Sequence, residues 1–332
     1  MWGVPLLGGY DHEFLPSLDH LLPRRWRENK PAWSLWRPIN YGLFRRLRRG
    51  KFDALWIHGY ARAYHWGAML EAWPLGIKVL MRDDATGIGP SGNRAYKFVK
   101  QLIFRLAGQL MDGVLPICTP TIDYYRNLGF PDRKIFMMPY TVDNQFFQDK
   151  ADEASAHRED FRRSLGLEPD RPVVLFSGKF QPRKRASDLI KAIIAPRDTA
   201  LRAQPYLVLA GSGELRPQIE AAAGRMGDDS IRLLGFQNQS ALPALYDLAD
   251  TLVLSSENEG FGVVVNEAMN ARCAVIVSDK VNSVPDLVQE GRNGFIYPTG
   301  DVAALTAMLR KVLADPARYR AMGEASREII NG

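Results

Sequence analysis

The chain has 332 residues, of which 46% are hydrophobic and 24% are charged. This balance is typical of a soluble globular protein, and the length is sufficient for two domains. No run of 18 or more apolar residues occurs, so no membrane-spanning helix is expected. The first residues, MWGVPLLGGYDHEF, lack the basic stretch and apolar run of a secretory signal, and we expect a cytoplasmic protein.

Basic residues are unevenly distributed along the chain. Lys and Arg number 43 against 37 Asp and Glu, a formal net charge of +6, and residues 24–51 hold ten of the basic residues with one acid, Glu28. Aromatic residues interleave with these charges, so the segment predicts a basic amphipathic surface, peripheral to an anionic membrane or facing an acidic acceptor. A solvated helix face explains the pattern equally well. No nucleic-acid-binding motif accompanies the charge, and nucleic acid is not an expected partner.

The two cysteines, Cys118 and Cys273, both lie in apolar stretches. Two thiols so placed are more typical of buried core residues than of a disulfide or a metal site. This cysteine usage agrees with the cytoplasmic location.

Short apolar runs alternate with helical segments, the pattern of a doubly wound α/β fold. In the first half, helices are predicted near 61–74, 91–111 and 119–128. The strands of this half are predicted at Ala54–Ile57, Ile77–Met81, Gly113–Pro116 and Ile135–Met138. A polar stretch without strands, Asp149–Asp170, then separates the two halves. We therefore predict a first domain in residues 1–150, a linker in 151–170 and a second domain in 171–332.

The second half is more regular, and its strands are mostly apolar, as expected for parallel strands covered on both faces. They are predicted at Pro172–Ser177, Tyr206–Ala210, Ile231–Leu234, Thr251–Leu254, Ala274–Ser278 and Gly294–Tyr297. Small or polar residues follow several of these strands at once, as in Ser177-Gly178-Lys179 and Gly211-Ser212-Gly213. In an open α/β sheet these carboxyl ends line the ligand crevice.

The most informative segment runs from Ser256 to Met269, SENEGFGVVVNEAM, between a buried strand and a helix. Its glycines allow close backbone approach, and the unpaired N–H groups of the first helical turn favour an anion such as a diphosphate. Glu259 lies just before the helix, and Glu267 lies about 7 Å further along it. Carboxylates accept hydrogen bonds from vicinal hydroxyls, so one can hold a sugar and the other a ribose. Alternatively, both only stabilise the helix N-terminus.

A basic turn, Gly178-Lys179-Phe180-Gln181-Pro182-Arg183-Lys184-Arg185, follows the first strand of this half. Lys179 and Lys184 are placed to clamp phosphates and to stabilise charge on a leaving group. We expect Arg183 and Arg185 to point outward. A solvated basic turn is the alternative, and the position at a strand end favours the phosphate role.

These motifs, in this order, resemble the family 4 glycosyltransferases (glycosyl transferases group 1). The resemblance spans roughly residues 50–330 and is most specific in the second half. The further motifs that carry it are Gly211-Ser212-Gly213-Glu214, Leu234-Gly235-Phe236, Leu245–Asp250, Glu259–Gly262 with Glu267-Ala268, and Val284–Phe295. The resemblance implies the GT-B fold, two Rossmann-like domains that face a cleft. It also implies a retaining transferase that uses a nucleotide-diphosphate sugar, with front-face attack and neither metal nor cofactor.

The resemblance assigns roles to individual residues. Glu259 is expected to contact the donor sugar and Glu267 the ribose, while Lys179 and Lys184 form the basic pair. Lys179, Lys184 and Glu259 are the residues predicted to be catalytic. The family more often has Arg at the position of Lys179. Lysine offers a single ammonium charge there, whereas arginine can donate two parallel hydrogen bonds to one phosphate. The remaining donor-binding residues would act largely through their backbone; they are Gly178, Gly235, Phe236, Phe261, Gly262, Val263 and Val264. The loop around Leu234–Gln237 is expected to receive the nucleobase, mainly through backbone groups.

The acceptor side is less well defined by the sequence. Many family members carry a His where this chain has Arg82 and Asp83. A local ion pair is the alternative interpretation of those two residues. His58, at the end of another strand, is a further candidate for the acceptor side, although a strand-end histidine is equally often structural.

The chain departs from the family pattern at both ends. It opens at Trp2-Gly3-Val4, which resembles a later point of the first domain, so a strand–helix–strand unit of roughly 30 residues is expected to be missing. It stops at Gly332, where family members usually continue with a helix that crosses back. The leading hypothesis is transfer from a UDP- or GDP-sugar to a saccharide or lipid-linked acceptor in cell-surface polysaccharide or glycoconjugate synthesis. A non-catalytic nucleotide-sugar-binding remnant or partner subunit is the alternative; an epimerase or phosphorylase fits less well.

Overall fold

The computed structural model describes residues 11–18, 40–85, 94–194, 204–224 and 230–332. The chain forms two compact units, with the division between Pro139 and Tyr140. Each unit contains a parallel β-sheet with helices, so the predicted α/β class is confirmed. The sequence placed the end of the first domain at residue 150, whereas the second unit begins about ten residues earlier in the structure.

The first unit, Leu6–Pro139, has a three-stranded parallel sheet in the order β1-β2-β3. Its strands are β1 Ala54–His58, β2 Lys78–Asp83 and β3 Gly113–Pro116. Its helices are α1 Tyr41–Arg49, α2 Ala63–Ala72, α3 Arg94–Ala107 and α4 Thr119–Asn127. The core of this unit is formed by alternate residues of the strands, such as Val79 and Met81, together with aromatic residues of α4.

The fourth strand predicted for this half, Ile135–Met138, is only partly formed. Ile135 makes a single parallel bridge to Val114, and Met138 donates from its backbone N–H to the Pro116 carbonyl at 2.8 Å. A 3₁₀ turn, Asp132–Lys134, precedes the segment, and Pro139, which has no N–H, follows it. The extended stretch is therefore too short for a regular ladder.

The second unit, Tyr140–Gly332, has a six-stranded parallel sheet in the order β6-β5-β4-β7-β8-β9. Its strands are β4 Val173–Ser177, β5 Tyr206–Ala210, β6 Ile231–Gly235, β7 Thr251–Leu254, β8 Ala274–Ser278 and β9 Gly294–Tyr297. Its helices are α5 Asn144–Ser155, α6 Arg158–Ser164, α7 Ala186–Ile194, α8 Arg216–Gly224, α9 Leu242–Leu248, α10 Val263–Asn270, α11 Val284–Leu287, α12 Val302–Leu313 and α13 Pro316–Asn331. All six strands lie where the sequence predicted them, to within a residue at their ends.

Both faces of this sheet are covered by helices. Along β4, Val173 and Leu175 face a core formed with α5, α9 and α10, and Val174 and Phe176 face a core formed with α7 and α12. Successive side chains of a strand point to opposite faces of the sheet, and both faces here are apolar. The central strands are therefore continuous hydrophobic runs in the sequence.

The predicted linker, residues 151–170, is largely helical and packs within the second unit. It contains the end of α5 and all of α6. Asp152 on α5 accepts hydrogen bonds from Arg327 and Arg272. These bonds lower the pKa of Asp152 to about 2, and the bond from Arg327 has the largest effect. This cluster joins α5 to α13 and to the turn before β8.

The strand order places a topological switch at the centre of the sheet. From β4 the chain runs outward through β5 and β6, then returns to place β7 on the opposite side of β4. The loops that follow β4 and β7 therefore leave the sheet in opposite directions, which opens a crevice between them at the carboxyl ends of the strands. The residues that the sequence predicts to bind the ligand lie at this edge of the sheet.

Close packing of α13 gives a test of the fold. A Cβ on Gly323 would lie 2.0 Å from the Arg272 carbonyl oxygen. We expect Gly323→Ala to destabilise the second unit by about 1–3 kcal/mol, because the helix must move away from the turn before β8. A Cβ on Gly224, at the end of α8, meets no atom within 4 Å, so Gly224→Ala is the control. Calorimetric melting of both variants measures the effect, and an unchanged melt for Gly323→Ala would contradict this packing.

Candidate functional site

The N-terminus of α10 presents free backbone donors. Gly262 precedes the helix with a left-handed φ of 83°, and a Cβ there would lie 2.9 Å from side-chain atoms of both Leu254 and Val281, so glycine is required. Within the described residues, the N–H groups of Gly262, Val263 and Val264 donate to no protein acceptor. No acidic residue lies in the first turn. Free N–H donors at a helix N-terminus, together with the helix dipole, are an arrangement that favours an anion.

Lys184 and Glu259 form an ion pair next to this helix. Lys184 ends a 3₁₀ turn that follows β4, and Glu259 lies in the loop between β7 and α10. Their side chains are 12% and 14% exposed, and the ammonium Nζ of Lys184 contacts Oε2 of Glu259 directly. Ser256 donates to the same oxygen at 3.2 Å. The pair brings together two of the three residues predicted to be catalytic.

Lys179, the third predicted catalytic residue, stands apart from this pair. It is exposed, two residues beyond the end of β4, and makes no ion pair with any residue of the described ranges. The structure therefore does not show the two lysines as one clamp.

The backbone fixes the position of Glu259. Its N–H donates to the Lys280 carbonyl at 3.2 Å, and its carbonyl accepts from the Asn282 N–H at 3.1 Å. These two bonds tie the loop after β7 to the loop after β8. The carboxylate of Glu259 is consequently held at the crevice by main chain as well as by Lys184.

Of the two arginines expected to point outward, Arg183 is exposed as predicted, whereas Arg185 is only partly exposed and is held by ion pairs, so the prediction is wrong for Arg185. Arg185 adopts a left-handed φ of 50° and donates to Asp188 at 2.7 Å and to Glu257 at 3.1 Å. Arg183, although exposed, donates to the Asn258 carbonyl at 3.0 Å. Both arginines thus link the basic turn to the loop that carries Glu259. The sequence contained one indication of this pairing, because Arg185 and Asp188 are oppositely charged and three residues apart.

Glycines at the ends of β4, β5 and β6 allow three loops to meet. The Gly178 N–H donates to the Ala210 carbonyl at 2.9 Å, and the Gly211 N–H donates to the Gly235 carbonyl at 2.8 Å. A Cβ on Gly211 would lie 1.8 Å from the Gly178 carbonyl oxygen, so no other residue fits there. Beyond Gly235, the ring of Phe236 is 54% exposed. This edge leaves an exposed aromatic face where the sequence placed the nucleobase.

Glu267 lies in α10 and is held by Tyr246 of α9. The Tyr246 hydroxyl donates to Oε2 of Glu267 at 2.6 Å. Burial raises the pKa of Glu267, and the bond from Tyr246 opposes that rise. Within the described residues Oε1 accepts no hydrogen bond, so one carboxylate oxygen stays available to a ligand hydroxyl. The partner role of Tyr246 was not predicted, although the residue lies in a motif that the sequence analysis singled out.

The predicted acceptor-side residues of the first unit fall on two faces of its sheet. His58 and Arg82 are paired in register on β1 and β2, and Trp56 contacts both. Its ring stacks on His58 at 6.0 Å and lies 5.8 Å from the Arg82 guanidinium. Arg82 is buried and donates to the Met138 carbonyl at 3.2 Å, while His58 is exposed.

Asp83, the next residue of β2, points to the opposite face by strand alternation. Burial, followed by repulsion from Asp84, raises the pKa of Asp83 to about 6, and Lys100 opposes this rise. Lys100 lies 5.4 Å from the Tyr60 ring and 5.2 Å from the Tyr124 ring. Asp83 therefore belongs to a tyrosine- and lysine-lined cluster.

The basic segment 24–51 is only partly described, since residues 19–39 lie outside the described ranges. Its described helix, α1, turns Leu47 into the core and pairs two of its arginines with acids, Arg46 with Glu13 at 2.9 Å and Arg48 with Glu71. No helix of the described residues is long and apolar enough to cross a bilayer. Among those residues, no group of three or more His, Cys, Asp or Glu is arranged to bind a metal ion. Both cysteines are buried free thiols, as predicted.

The raised pKa of Asp83 gives a pH-dependent prediction. Its folded pKa of about 6 lies above the ordinary 3.8, so its contribution to stability is full below pH 4 and is lost as the pH rises through 6. We expect Asp83→Asn to raise the free energy of unfolding of the first unit at pH 7, by on the order of 2 kcal/mol, with little effect at pH 4. Melting curves at both pH values measure this. Asp123→Asn, at an exposed position on α4, is the control, and equal effects of Asp83→Asn at both pH values would contradict the assignment.

Known proteins resemble this chain over parts of their length. Alpha-D-kanosaminyltransferase of Streptomyces kanamyceticus is 29% identical over 60% of this chain and 50% of its own. D-inositol 3-phosphate glycosyltransferase of Streptomyces avermitilis is 34% identical over 50% of this chain and 37% of its own. The chain thus spans half or less of the length of these relatives. N-acetyl-alpha-D-glucosaminyl L-malate synthase of Bacillus anthracis is 25% identical over 85% of this chain and 71% of its own.

Solved structures share the fold. HepE of Anabaena in complex with UDP has a TM-score of 0.69 and 16% identity over 87% of this chain and 76% of its own. Sucrose-phosphate synthase of Thermosynechococcus elongatus has a TM-score of 0.66 and 22% identity over 87% of this chain and 71% of its own. Both likenesses confirm the predicted GT-B fold.

Residues 157–329 match the model of the family described as glycosyl transferases group 1. The match begins just before α6 and ends within α13, so it includes the six-stranded sheet, the Lys184–Glu259 pair and α10. The match and the geometry agree with the motifs read from the sequence: the chain belongs to the glycosyl transferases group 1 family.

Proposed function

We propose that this chain transfers a sugar from a nucleotide-diphosphate sugar, UDP- or GDP-linked, to a saccharide or lipid-linked acceptor. The observation that carries the proposal is the ion pair of Lys184 and Glu259 beside the unpaired N–H groups of α10, at the switch point of the sheet. Cationic and N–H donors suit the diphosphate, and the neighbouring carboxylate suits sugar hydroxyls.

Each residue of the site has a part in this scheme. The N–H groups of Gly262, Val263 and Val264 bind the diphosphate, and Lys184 stabilises the negative charge that develops on it as the glycosidic bond breaks. Glu259 orients Lys184 and accepts from a sugar hydroxyl. Glu267 accepts from the ribose through its free oxygen.

The rest of the donor site is assigned by its position around the diphosphate. Lys179 joins the diphosphate from the end of β4, and the backbone of Gly178 allows close approach there. Gly235 and Phe236 receive the base, and Phe261 lies between the loop and α10. These assignments follow the family motifs and the strand ends on which the residues lie.

The reaction is proposed to retain anomeric configuration and to need no metal ion. Front-face attack by the acceptor hydroxyl gives retention, as the family resemblance implies. Metal independence is supported by the positive groups already present, because Lys184 and the start of α10 supply charge stabilisation at the diphosphate.

The acceptor is proposed to contact His58, Arg82 or Asp83 in the first unit. We further propose a cytoplasmic location with peripheral membrane contact, in which the basic segment 24–51 is attracted to anionic lipid. A role in cell-surface polysaccharide or glycoconjugate synthesis is consistent with such an acceptor.

Nucleotide binding tests the donor site. We expect UDP or GDP to raise the melting temperature, because a ligand that binds the folded state stabilises it. Lys184→Ala should weaken the binding of that nucleotide roughly tenfold to a hundredfold, because the variant loses one charge-assisted hydrogen bond to the diphosphate. Lys150→Ala, an exposed lysine on α5, is the matched control and should bind normally.

Two results would count against this assignment: no stabilisation by any nucleotide or nucleotide sugar, or equal affinity of Lys184→Ala and the wild type. Binding without turnover of any donor would favour the alternative of a nucleotide-sugar-binding remnant or partner subunit. Ligand-free melting of each variant shows whether a loss of binding reflects a loss of fold.

The stereochemistry and metal dependence are tested on the product. Proton NMR of the new glycosidic bond should show the same anomeric configuration as the donor sugar, because the acceptor attacks from the face that the diphosphate leaves. A chelator such as EDTA should leave the initial rate unchanged. An inverted product would exclude front-face attack, and a loss of rate that Mg²⁺ or Mn²⁺ restores would exclude metal independence.

A further inference from the structure

Helix α3, Arg94–Ala107, turns Lys100, Gln101 and Phe104 toward the protein and exposes most of its large apolar residues. Phe104 is its one buried side chain. Five large apolar residues of the same helix are exposed, with fractions of 67% for Phe98, 52% for Val99, 49% for Leu102, 48% for Ile103 and 66% for Leu106. An ordinary surface helix shows the reverse arrangement.

The inward side of α3 explains this orientation. Lys100 lies against the rings of Tyr60 and Tyr124, and Gln101 donates to the Asn127 carbonyl at 2.8 Å. Phe104 packs edge-on against Tyr60 at 4.8 Å. These contacts fix the rotation of the helix about its axis, so its apolar side cannot turn inward without breaking them.

The exposed apolar residues form one continuous stripe. At about 100° per residue, Phe98, Leu102, Leu106, Val99 and Ile103 cover an arc of roughly 140°. The exposed Arg94 and Arg105 border one edge of this arc, and Tyr96 borders the other. We call these eight residues the α3 stripe.

Charge on α3 has a single sign. The helix carries Arg94, Lys97, Lys100 and Arg105 and no acidic residue. An apolar arc bordered by basic and aromatic side chains is the arrangement of a helix that lies in a membrane interface, where arginines reach headgroup phosphates and apolar side chains enter the acyl region.

The two units differ in their exposed apolar surface. Of the large hydrophobic side chains that are exposed in the described residues, all but Ile194 and Phe236 belong to the first unit. A contiguous apolar surface on a folded unit marks a place of contact with another phase or molecule.

We propose that the α3 stripe docks on the surface of an anionic lipid bilayer. Charge complementarity with a negative lipid surface favours a membrane over an apolar protein groove, because every charge on the helix is positive. This interface is distinct from segment 24–51, whose described helix α1 turns Leu47 inward. Docking on a bilayer is compatible with the proposed lipid-linked acceptor, and the docking proposal does not depend on the transfer reaction.

Vesicle sedimentation of the full chain without donor tests the proposal. We expect binding to phosphatidylcholine vesicles with about one third phosphatidylglycerol, and much weaker binding to pure phosphatidylcholine. Phe98→Glu and Leu106→Glu should each weaken vesicle binding about tenfold or more. Each variant removes an apolar side chain that enters the acyl region and adds a negative charge that the anionic lipid repels. Ile194→Glu, at an apolar position 43% exposed on the second unit, is the control and should bind as the wild type does.

Each other outcome would overturn the proposal. If the wild type does not bind anionic vesicles, or if the α3 variants bind as well as the control does, the stripe is not a membrane surface. A wild-type chain that self-associates in solution, with monomeric Phe98→Glu, would assign the stripe to a second copy instead. Nucleotide stabilisation, measured on the same variants, keeps this test separate from that of the donor site.

Discussion

The site depends on the way a parallel sheet separates its loops at a topological switch. Because β4 lies between β5 and β7, the loops after β4 and β7 leave the sheet in opposite directions and open a crevice. The Lys184–Glu259 ion pair spans these two loops, and α10 begins at the same edge with its N–H groups unpaired. The buried strands behind the crevice make this edge rigid, so the polar groups are positioned before any ligand arrives.

Much of the second unit could be predicted from the sequence because its signals are local. The six strands are apolar runs bounded by small residues, and Gly262 with the following helix signals an anion site from sequence order alone. The Lys184–Glu259 contact joins positions 75 residues apart; the strand ends and the family resemblance placed both residues at one crevice, but neither predicted the direct contact. The bond from Tyr246 to Glu267 was missed because it depends on how α9 and α10 pack.

The first unit was harder to predict, for a physical reason. Periodicity shows that α3 is amphipathic but not which side faces the protein, and a helix is normally assumed to bury its apolar side. Here Lys100 and Gln101 make the inward contacts, which no pattern in the sequence indicates. The sequence therefore predicts only a helix near 91–111, and its predicted membrane contact lies in segment 24–51, where charge is dense.

The central claim is that the diphosphate of a nucleotide binds between the start of α10 and Lys184. Hydrogen–deuterium exchange of the chain, with and without saturating UDP or GDP, measures this directly, since bound N–H groups exchange slowly. The account predicts slower exchange in peptides that cover residues 178–185 and 256–268, with the largest change at the start of α10. Slower exchange confined to other segments, at a nucleotide concentration that raises the melting temperature, would contradict it.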